Sequence, residues 1–254
     1  MRVEALGCSG GIGGASRTTA LLVDQDVLID CGTGVGDLAL EQLIRIDHVF
    51  LTHSHLDHVA LLPMLADAGV GRRSQPLVAY ALPETIAALK DCLFNGRLWP
   101  DYTALPSMDR PYLRLLPIKL GLPLVLGTRS ITPLPVRHAV PAVGYQLDSG
   151  DASLVFSGDT TFSEAFWEAV NGIANLRHLI METTFLNDND AGCQVSGHTN
   201  ARLLAQGLAR LARPVPLHIT HMEPGREEQT WAEVLQSAAG HRPERLQRGQ
   251  VIEL

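Results

Sequence analysis

The sequence predicts an α/β protein, because strand and helix patterns occur in both halves of the chain and short strands dominate the middle. Of the 254 residues, 46% are hydrophobic and 19% are charged, and the low charge indicates a thick core and excludes a disordered chain. No shift in amino-acid composition along the chain indicates a domain boundary. We therefore expect a single domain over residues 1–254.

The first third of the chain carries alternating strand and helix signals. Apolar runs bounded by polar residues indicate strands, and apolar residues at helical spacing indicate helices. Pro63 and Pro83 fall in the first turns of two helices, where a missing backbone N–H costs little. The expected strands are 2–7, 19–23, 27–30, 48–52 and 77–80, and the expected helices are 35–44, 62–68 and 83–93.

A long segment at about 94–117 breaks this alternation. It holds four prolines together with Phe94, Trp99, Tyr102 and Tyr112, which favours an irregular aromatic and proline-rich loop rather than a linker. After it we expect short strands over 118–157. Helices at 163–171, 199–212 and 227–238 and strands at 177–182, 215–220 and 250–253 complete the chain.

Five glycines lie in residues 7–14, directly after the first strand. A dinucleotide-binding GxGxxG loop is excluded, because its third glycine falls at Ser16 and a strand pattern follows instead of a helix. We expect a tight loop between two strands that lines a site.

Charge and cysteine content indicate which binding partners and which cell compartment to expect. Twenty Lys and Arg against 27 Asp and Glu give a formal net charge of −7, and no basic run exceeds Arg72-Arg73. Since nucleic-acid binding depends on neutralising phosphates, we expect no nucleic-acid partner. The four cysteines form no CxxC pair, which favours free thiols in a reducing cytosol. A signal peptide and a membrane span are not evident, so we expect a cytoplasmic protein without a membrane partner.

Residues 53–58 read His-Ser-His-Leu-Asp-His, and this HxHxDH motif predicts a metal site. Its chance occurrence in a chain of this composition is about one in a thousand. In a turn after a strand, His53 and His55 can face one metal while Asp57 and His58 face another. Imidazole and carboxylate ligands suit Zn²⁺, Mn²⁺ or Fe²⁺.

Further ligands must come from distant parts of the chain. Three candidates follow apolar strands: His138, Asp159 in Ser-Gly-Asp-Thr, and His221. A strand end delivers such a side chain to the edge of a sheet, where sites form. We assign four other histidines to structural roles: His48, His178, His218 and His241. The tenth, His198, is discussed below.

The order of these residues resembles the metallo-β-lactamase superfamily over nearly the whole chain. The resemblance implies a four-layer αββα sandwich and two divalent metal ions, expected as Zn²⁺ with Mn²⁺ or Fe²⁺ as alternatives. It assigns His53, His55 and His138 to one metal, Asp57, His58 and His221 to the other, and Asp159 to a bridge between them.

Glu182 and His198, which stands in Ser-Gly-His-Thr-Asn before a helix, resemble the Glu…His pair of the superfamily's phosphodiesterase branch. Within it, the chain looks most like bacterial class II 3′,5′-cyclic-nucleotide phosphodiesterases. It departs from that class at Leu61, where a small residue is usual, and at Glu223, where Lys is frequent. The resemblance implies a cyclic-nucleotide substrate and His198, Glu182 and Asp57 as catalytic residues.

The implied mechanism is attack on phosphorus by a hydroxide shared between two metals. His198 would protonate the leaving 3′-oxygen, and Glu182 would orient His198. Alternatives stay open: a tRNA 3′-processing nuclease of the ribonuclease Z type, another hydrolase such as a lactonase or thioesterase, and a non-catalytic metal-binding relative. A homodimer is also possible.

For the aromatic segment at 94–117 we hypothesise that it covers one side of the site, with Trp99 stacking on the base. The alternative is that Phe94, Trp99 and Tyr102 anchor the segment to the core or form a dimer contact.

Overall fold

The computed structural model describes residues 1–254 and contains sixteen strands and eight α-helices. The strands are β1 (Arg2–Gly7), β2 (Ala20–Val23), β3 (Val27–Ile29), β4 (His48–Phe50), β5 (Leu77–Ala81), β6 (Pro106–Ser107), β7 (Arg110–Pro111), β8 (Leu113–Pro117), β9 (Leu124–Leu126), β10 (Arg129–Pro135), β11 (Val143–Asp148), β12 (Ser153–Phe156), β13 (Leu176–Glu182), β14 (Leu217–Thr220), β15 (Glu244–Arg245) and β16 (Val251–Glu253). The helices are α1 (Leu40–Leu43), α2 (Leu56–Val59), α3 (Leu62–Ala68), α4 (Pro83–Cys92), α5 (Glu164–Asn171), α6 (Asp190–Ser196), α7 (Ala201–Leu208) and α8 (Glu227–Ser237).

Two seven-stranded sheets form the centre of the molecule. The first has the order β16-β1-β2-β3-β4-β5-β8, and the second has the order β15-β14-β13-β12-β11-β10-β9. Pairing is parallel from β3 to β8 in the first sheet and from β12 to β15 in the second. Polar turns that follow these parallel strands can therefore gather at the same edge of the sheets.

The two sheets pack face to face, and helices cover their outer faces. A cluster of 18 buried residues, including Leu21, Phe50 and Tyr145, fills the space between the sheets. A cluster of 20 residues lies between the first sheet and α2–α4, and another of 18 lies between the second sheet and α5, α7 and α8. Alternation along each strand explains the layers, since successive side chains point to opposite faces. The predicted αββα sandwich is confirmed.

Two expectations about secondary structure are corrected. The expected helix at 35–44 is a 3-10 turn at Thr33–Asp37 followed by the short α1. The irregular stretch expected at about 94–117 ends earlier, because Leu113–Pro117 pairs with β5 as the edge strand β8. An edge position tolerates Pro117, which has no N–H to donate to a neighbouring strand.

The aromatic side chains of this stretch anchor it to the body. Phe94 and Tyr102 are 2% and 7% exposed and belong to the cluster between the first sheet and its helices. Trp99 packs against the same cluster, and its indole Nε1 is buried. The burial of Phe94 and Tyr102 and the packing of Trp99 favour the anchoring alternative, and base stacking by Trp99 stays a prediction.

Candidate metal centre

The predicted ligands meet in turns that follow four strands. The HxHxDH segment follows β4, His138 follows β10, Asp159 follows β12, and His221 follows β14. Parallel pairing and the packing of the two sheets bring these four turns together, although up to 168 positions separate them in sequence, from His53 to His221. The site is thus built on strand ends, which the cores on either side hold in place.

Two groups of side chains present ligand atoms that lie within 4.8 Å of one another. Asp159 is the one residue common to both groups, as a bridging carboxylate requires. The first group is His53, His55, His138 and Asp159, and the second is Asp57, His58, Asp159 and His221. The grouping is the one that the resemblance implied, and the role of each residue as a ligand stays a prediction.

The spacing of the ring nitrogens fits metal ligands. His138 Nε2 lies 3.0 Å from His55 Nδ1, and His58 Nε2 lies 3.4 Å from His221 Nε2. Two nitrogens bound to a tetrahedral Zn²⁺ at ~2.05 Å are separated by about 3.3 Å. His53 Nε2 is buried without a hydrogen-bond partner and lies 3.6 Å from Asp159 Oδ2. A divalent cation would use this orphaned nitrogen.

The charges of the site also fit a cation. Asp159 is 2% exposed, and its ion-pair partners are all histidines. Burial alone would raise the pKa of Asp159, but His221 and His58 hold it well below its usual range. Burial and the neighbouring His58 lower the pKa of His53, which favours the neutral ring that a metal requires. Despite the burial of His58, Asp159 and Asp30 raise its pKa, so without a cation a proton on His58 balances part of this negative charge. A bound divalent cation would replace that proton.

Asp30 lies directly behind the candidate ligand His58, and the sequence analysis missed it. It is fully buried, and its Oδ2 accepts a hydrogen bond from His58 Nδ1 at 2.7 Å, which turns His58 Nε2 toward the second group. Its Oδ1 accepts from the backbone N–H of Thr52 at 2.8 Å. A carboxylate behind a ligand histidine fixes the tautomer and the ring orientation. The available signal was an Asp at the end of an apolar strand, the same signal that identified Asp159.

Glu182 and His198 form a pair beside both groups. Glu182 is fully buried at the end of β13, and its Oε1 accepts a hydrogen bond from His198 Nδ1 at 2.9 Å. Burial alone would lower the pKa of His198, but the Glu182 carboxylate raises it to about 9. His198 Nε2 makes no hydrogen bond within the protein, and the side chain is 14% exposed. The ring can therefore carry a proton and present it to a ligand.

Thr184 connects this pair to the second group, and sequence reasoning gave no signal for it. Its hydroxyl lies 2.9 Å from Glu182 Oε2 and 3.0 Å from His221 Nδ1. His221 has a φ of 62°, in the left-handed region that a side chain with a Cβ rarely adopts. Strain of this kind persists where surrounding contacts fix the residue, as at functional sites.

Close approaches of glycine shape the site at two points. A Cβ at Gly10 would lie 2.8 Å from the His221 carbonyl oxygen, so the glycine-rich loop can line the site only with glycine there. Gly197 has a φ of 72°, and a Cβ on it would lie 2.6 Å from His138 Cα. The Gly197 carbonyl accepts a hydrogen bond from His138 Nδ1 at 3.1 Å.

The histidines assigned to structural roles lie outside both groups. His48 Nδ1 lies 3.4 Å from the Tyr80 hydroxyl, and His178 Nδ1 lies 3.2 Å from His218 Nε2. His241 is in a 3-10 turn near the end of the chain. The four cysteines are free. None of the helices combines the length and the apolar character needed to cross a bilayer.

Sequence comparison finds a related family and related proteins. The beta-lactamase superfamily domain matches residues 25–242. Ribonuclease Z from Crocosphaera subtropica is 30% identical over 164 residues, which cover 59% of this chain and 49% of that protein. The matches to ribonuclease Z thus span about half of those relatives. The probable metallo-hydrolase YhfI from Bacillus subtilis is 25% identical over 236 residues, or 87% of each chain.

Solved structures share the fold. The crystal structure of YhfI, a metallo-beta-lactamase fold protein from Bacillus subtilis, superposes with a TM-score of 0.77 at 23% identity, covering 99% of this chain and 98% of that one. Unliganded yeast PDE1 superposes with a TM-score of 0.80 at 16% identity, covering 100% and 99%. At these identities the likeness establishes the fold.

Proposed function

This chain belongs to the beta-lactamase superfamily, a family of metal-dependent hydrolases, and from that membership we propose that it hydrolyses 3′,5′-cyclic nucleotides. The observation that carries the proposal is the buried Glu182–His198 pair beside both ligand groups. A cyclic phosphodiester needs a proton at its leaving 3′-oxygen, and His198 is placed to supply one.

The two ligand groups are proposed to hold two divalent cations, with Zn²⁺ favoured by their imidazole content. Cations at such a site supply Lewis acidity and a water of lowered pKa. Asp159 fixes the spacing of the two groups, and Asp30 aims His58. His198 Nε2 gives its proton to the leaving oxygen, while the Glu182 carboxylate stabilises the protonated ring through Nδ1.

A ribonuclease Z activity, the cleavage of tRNA precursors, is the second candidate. It is favoured by the 30% identity to ribonuclease Z over 59% of this chain. The same ligands and the same Glu182–His198 pair would serve that reaction. The net charge of −7 favours the smaller substrate, since a tRNA-binding surface is normally basic.

One panel separates the candidates. Metal-loaded protein is assayed on 3′,5′-cAMP, 3′,5′-cGMP, bis-p-nitrophenyl phosphate and a precursor tRNA. His198→Ala should reduce turnover of the cyclic nucleotide by roughly 10²–10⁴-fold and spare the p-nitrophenyl ester, whose leaving group needs no proton. His178→Ala, outside both groups, is the matched control and should retain activity.

Two results reject the cyclic-nucleotide proposal. Precursor tRNA cleaved with a higher kcat/KM than any cyclic nucleotide makes ribonuclease Z the function. Equal losses on both small substrates in His198→Ala remove His198 from the role of proton donor.

Metal content tests the two-cation proposal independently of substrate. Elemental analysis of loaded wild-type protein should find about two metal ions per chain. Asp159→Ala should lower this number, because both ligand groups lose a ligand. Asp151→Ala, which changes an exposed aspartate, should leave the metal content unchanged. Folded wild-type protein that binds less than half a metal per chain after loading contradicts the proposal. The single domain, the absence of a nucleic-acid partner and the possible homodimer stay predictions.

A further inference from the structure

A concave basic surface lies at the opposite end of β4 from the metal-ligand groups. Two adjoining cavities of about 510 and 470 Å³ share Arg73 and Arg114 among their lining residues. His48, the first residue of β4, lines the smaller cavity, whereas the HxHxDH segment follows the other end of this strand. We name this surface the arginine groove and define it by Arg72, Arg73, Arg110 and Arg114.

Three of the four arginines have no acidic partner. Arg110 and Arg114 are exposed and make no side-chain hydrogen bond or ion pair, and Arg72 donates only to two backbone carbonyl oxygens, at 3.4 and 3.5 Å. One carboxylate lines each cavity, Asp109 in the larger and Asp47 in the smaller. The groove therefore concentrates positive charge in a chain whose net charge is −7.

The fourth arginine is fixed and incompletely satisfied. The Arg73 side chain is 7% exposed, its Nη1 donates to Asp47 Oδ1 at 3.0 Å, and its Nη2 donates to the Leu43 carbonyl at 2.7 Å. Its Nε is buried and has no hydrogen-bond partner. The two Nη contacts fix the Arg73 guanidinium where it lines both cavities, next to the three arginines that are free to contact an acceptor.

We propose that the arginine groove binds a small molecule that carries two or more phosphates, such as a nucleoside diphosphate. Guanidinium forks match phosphate oxygens in bidentate geometry. The larger cavity, about 510 Å³, is within the range of ~300–1,000 Å³ that small ligands occupy. Arg73, Arg110 and Arg114 line this cavity against one carboxylate, Asp109, so its charge favours an anionic ligand. The net charge of −7 disfavours a long nucleic-acid strand.

Calorimetry of ADP binding to the metal-loaded protein tests the proposal. Arg114→Gln should weaken binding about tenfold or more, because a charge-assisted bidentate contact is lost. Arg114→Lys keeps the charge but loses the forked guanidinium, so its affinity for ADP should lie between those of wild type and Arg114→Gln. Arg177→Gln is the matched control, since Arg177 is also exposed and lines neither cavity, and should change the affinity less than about twofold. Adenosine, which has no phosphate, should not bind.

Three outcomes overturn the proposal. The first is no binding of ADP to the wild-type protein. The second is equal ADP affinity in wild type and Arg114→Gln, which places the ligand at the metal centre. The third is binding of a 12-nucleotide RNA through Arg114 without binding of ADP. Thermal unfolding of each variant checks its folding. If Arg114→Gln does not fold, the exposed Arg72→Gln replaces it, with the same expected loss.

Discussion

Replacing Glu182 with glutamine tests whether this residue both holds the site together and supports His198. The carboxylate has no exposure, and five donors surround it. Oε1 accepts from His198 Nδ1 and from the backbone N–H groups of Thr160 and Thr199, at 2.9, 3.1 and 3.1 Å. Oε2 accepts from the backbone N–H and the hydroxyl of Thr184, at 3.1 and 2.9 Å.

An amide cannot satisfy these donors. With its NH₂ at the Oε2 position, the Thr184 hydroxyl can turn and accept. The Thr184 backbone N–H loses its bond to residue 182 but keeps the Thr199 carbonyl oxygen at 3.0 Å. Loss of that one hydrogen bond costs about 0.5–1.5 kcal/mol. The bond to His198 also loses the part of its strength that the charge supplies, about 1–2 kcal/mol. We expect the free energy of unfolding to fall by roughly 1.5–3.5 kcal/mol.

The same substitution changes catalysis through His198. Removing the carboxylate removes the group that raises the pKa of His198 to about 9 against the effect of burial. The protonated ring is then less populated, and turnover of a cyclic nucleotide should fall by about 10²–10⁴-fold, with a smaller loss on bis-p-nitrophenyl phosphate.

Urea unfolding and steady-state kinetics measure the two effects. Glu233→Gln is the matched control, because Glu233 accepts a single backbone N–H, from Asn187 at 2.7 Å, and the amide oxygen of glutamine can accept it instead. That variant should change stability by less than about 1 kcal/mol. The reasoning is refuted if Glu182→Gln is as stable as the wild type, or if it loses equal activity on the cyclic nucleotide and on bis-p-nitrophenyl phosphate.

Three further substitutions have defined outcomes. Asp30→Asn removes the charge behind His58 and should lower metal affinity by about 10–100-fold in a chelator competition. Gly197→Ala should destabilise the protein by more than ~1 kcal/mol, measured by urea unfolding, because of its positive φ and close contact; Gly240→Ala, with open space around it, should not. Trp99→Ala should lower the free energy of unfolding by about 2–4 kcal/mol and leave the KM for a cyclic nucleotide unchanged.

Each of these predictions has a result that contradicts it. Unchanged metal affinity in Asp30→Asn would mean that the His58 ring is held by other contacts. Equal stability of the two glycine variants would remove the steric argument at Gly197. A raised KM without loss of stability in Trp99→Ala would support base stacking by Trp99 and contradict the anchoring alternative.

The sequence alone determined the fold class and the candidate ligands. Alternation of apolar residues placed most strands, and the HxHxDH motif identified a metal site because its residue types and spacing are rare by chance. His138, Asp159 and His221 could be found because each directly follows an apolar strand. These signals are local in the sequence, so they can be recognised without knowing how distant segments pack.

The tertiary structure decided which side chains meet. Asp30 supports His58 across 28 positions, and Thr184 reaches His221 across 37, through strand pairing that no local pattern specifies. Trp99 packs on the core because the first sheet and its helices leave an apolar surface there. Arg73 and Arg114 share a groove only because β5 and β8 pair in parallel. Contacts of this kind depend on register and layer packing, and these emerge only when the whole chain folds.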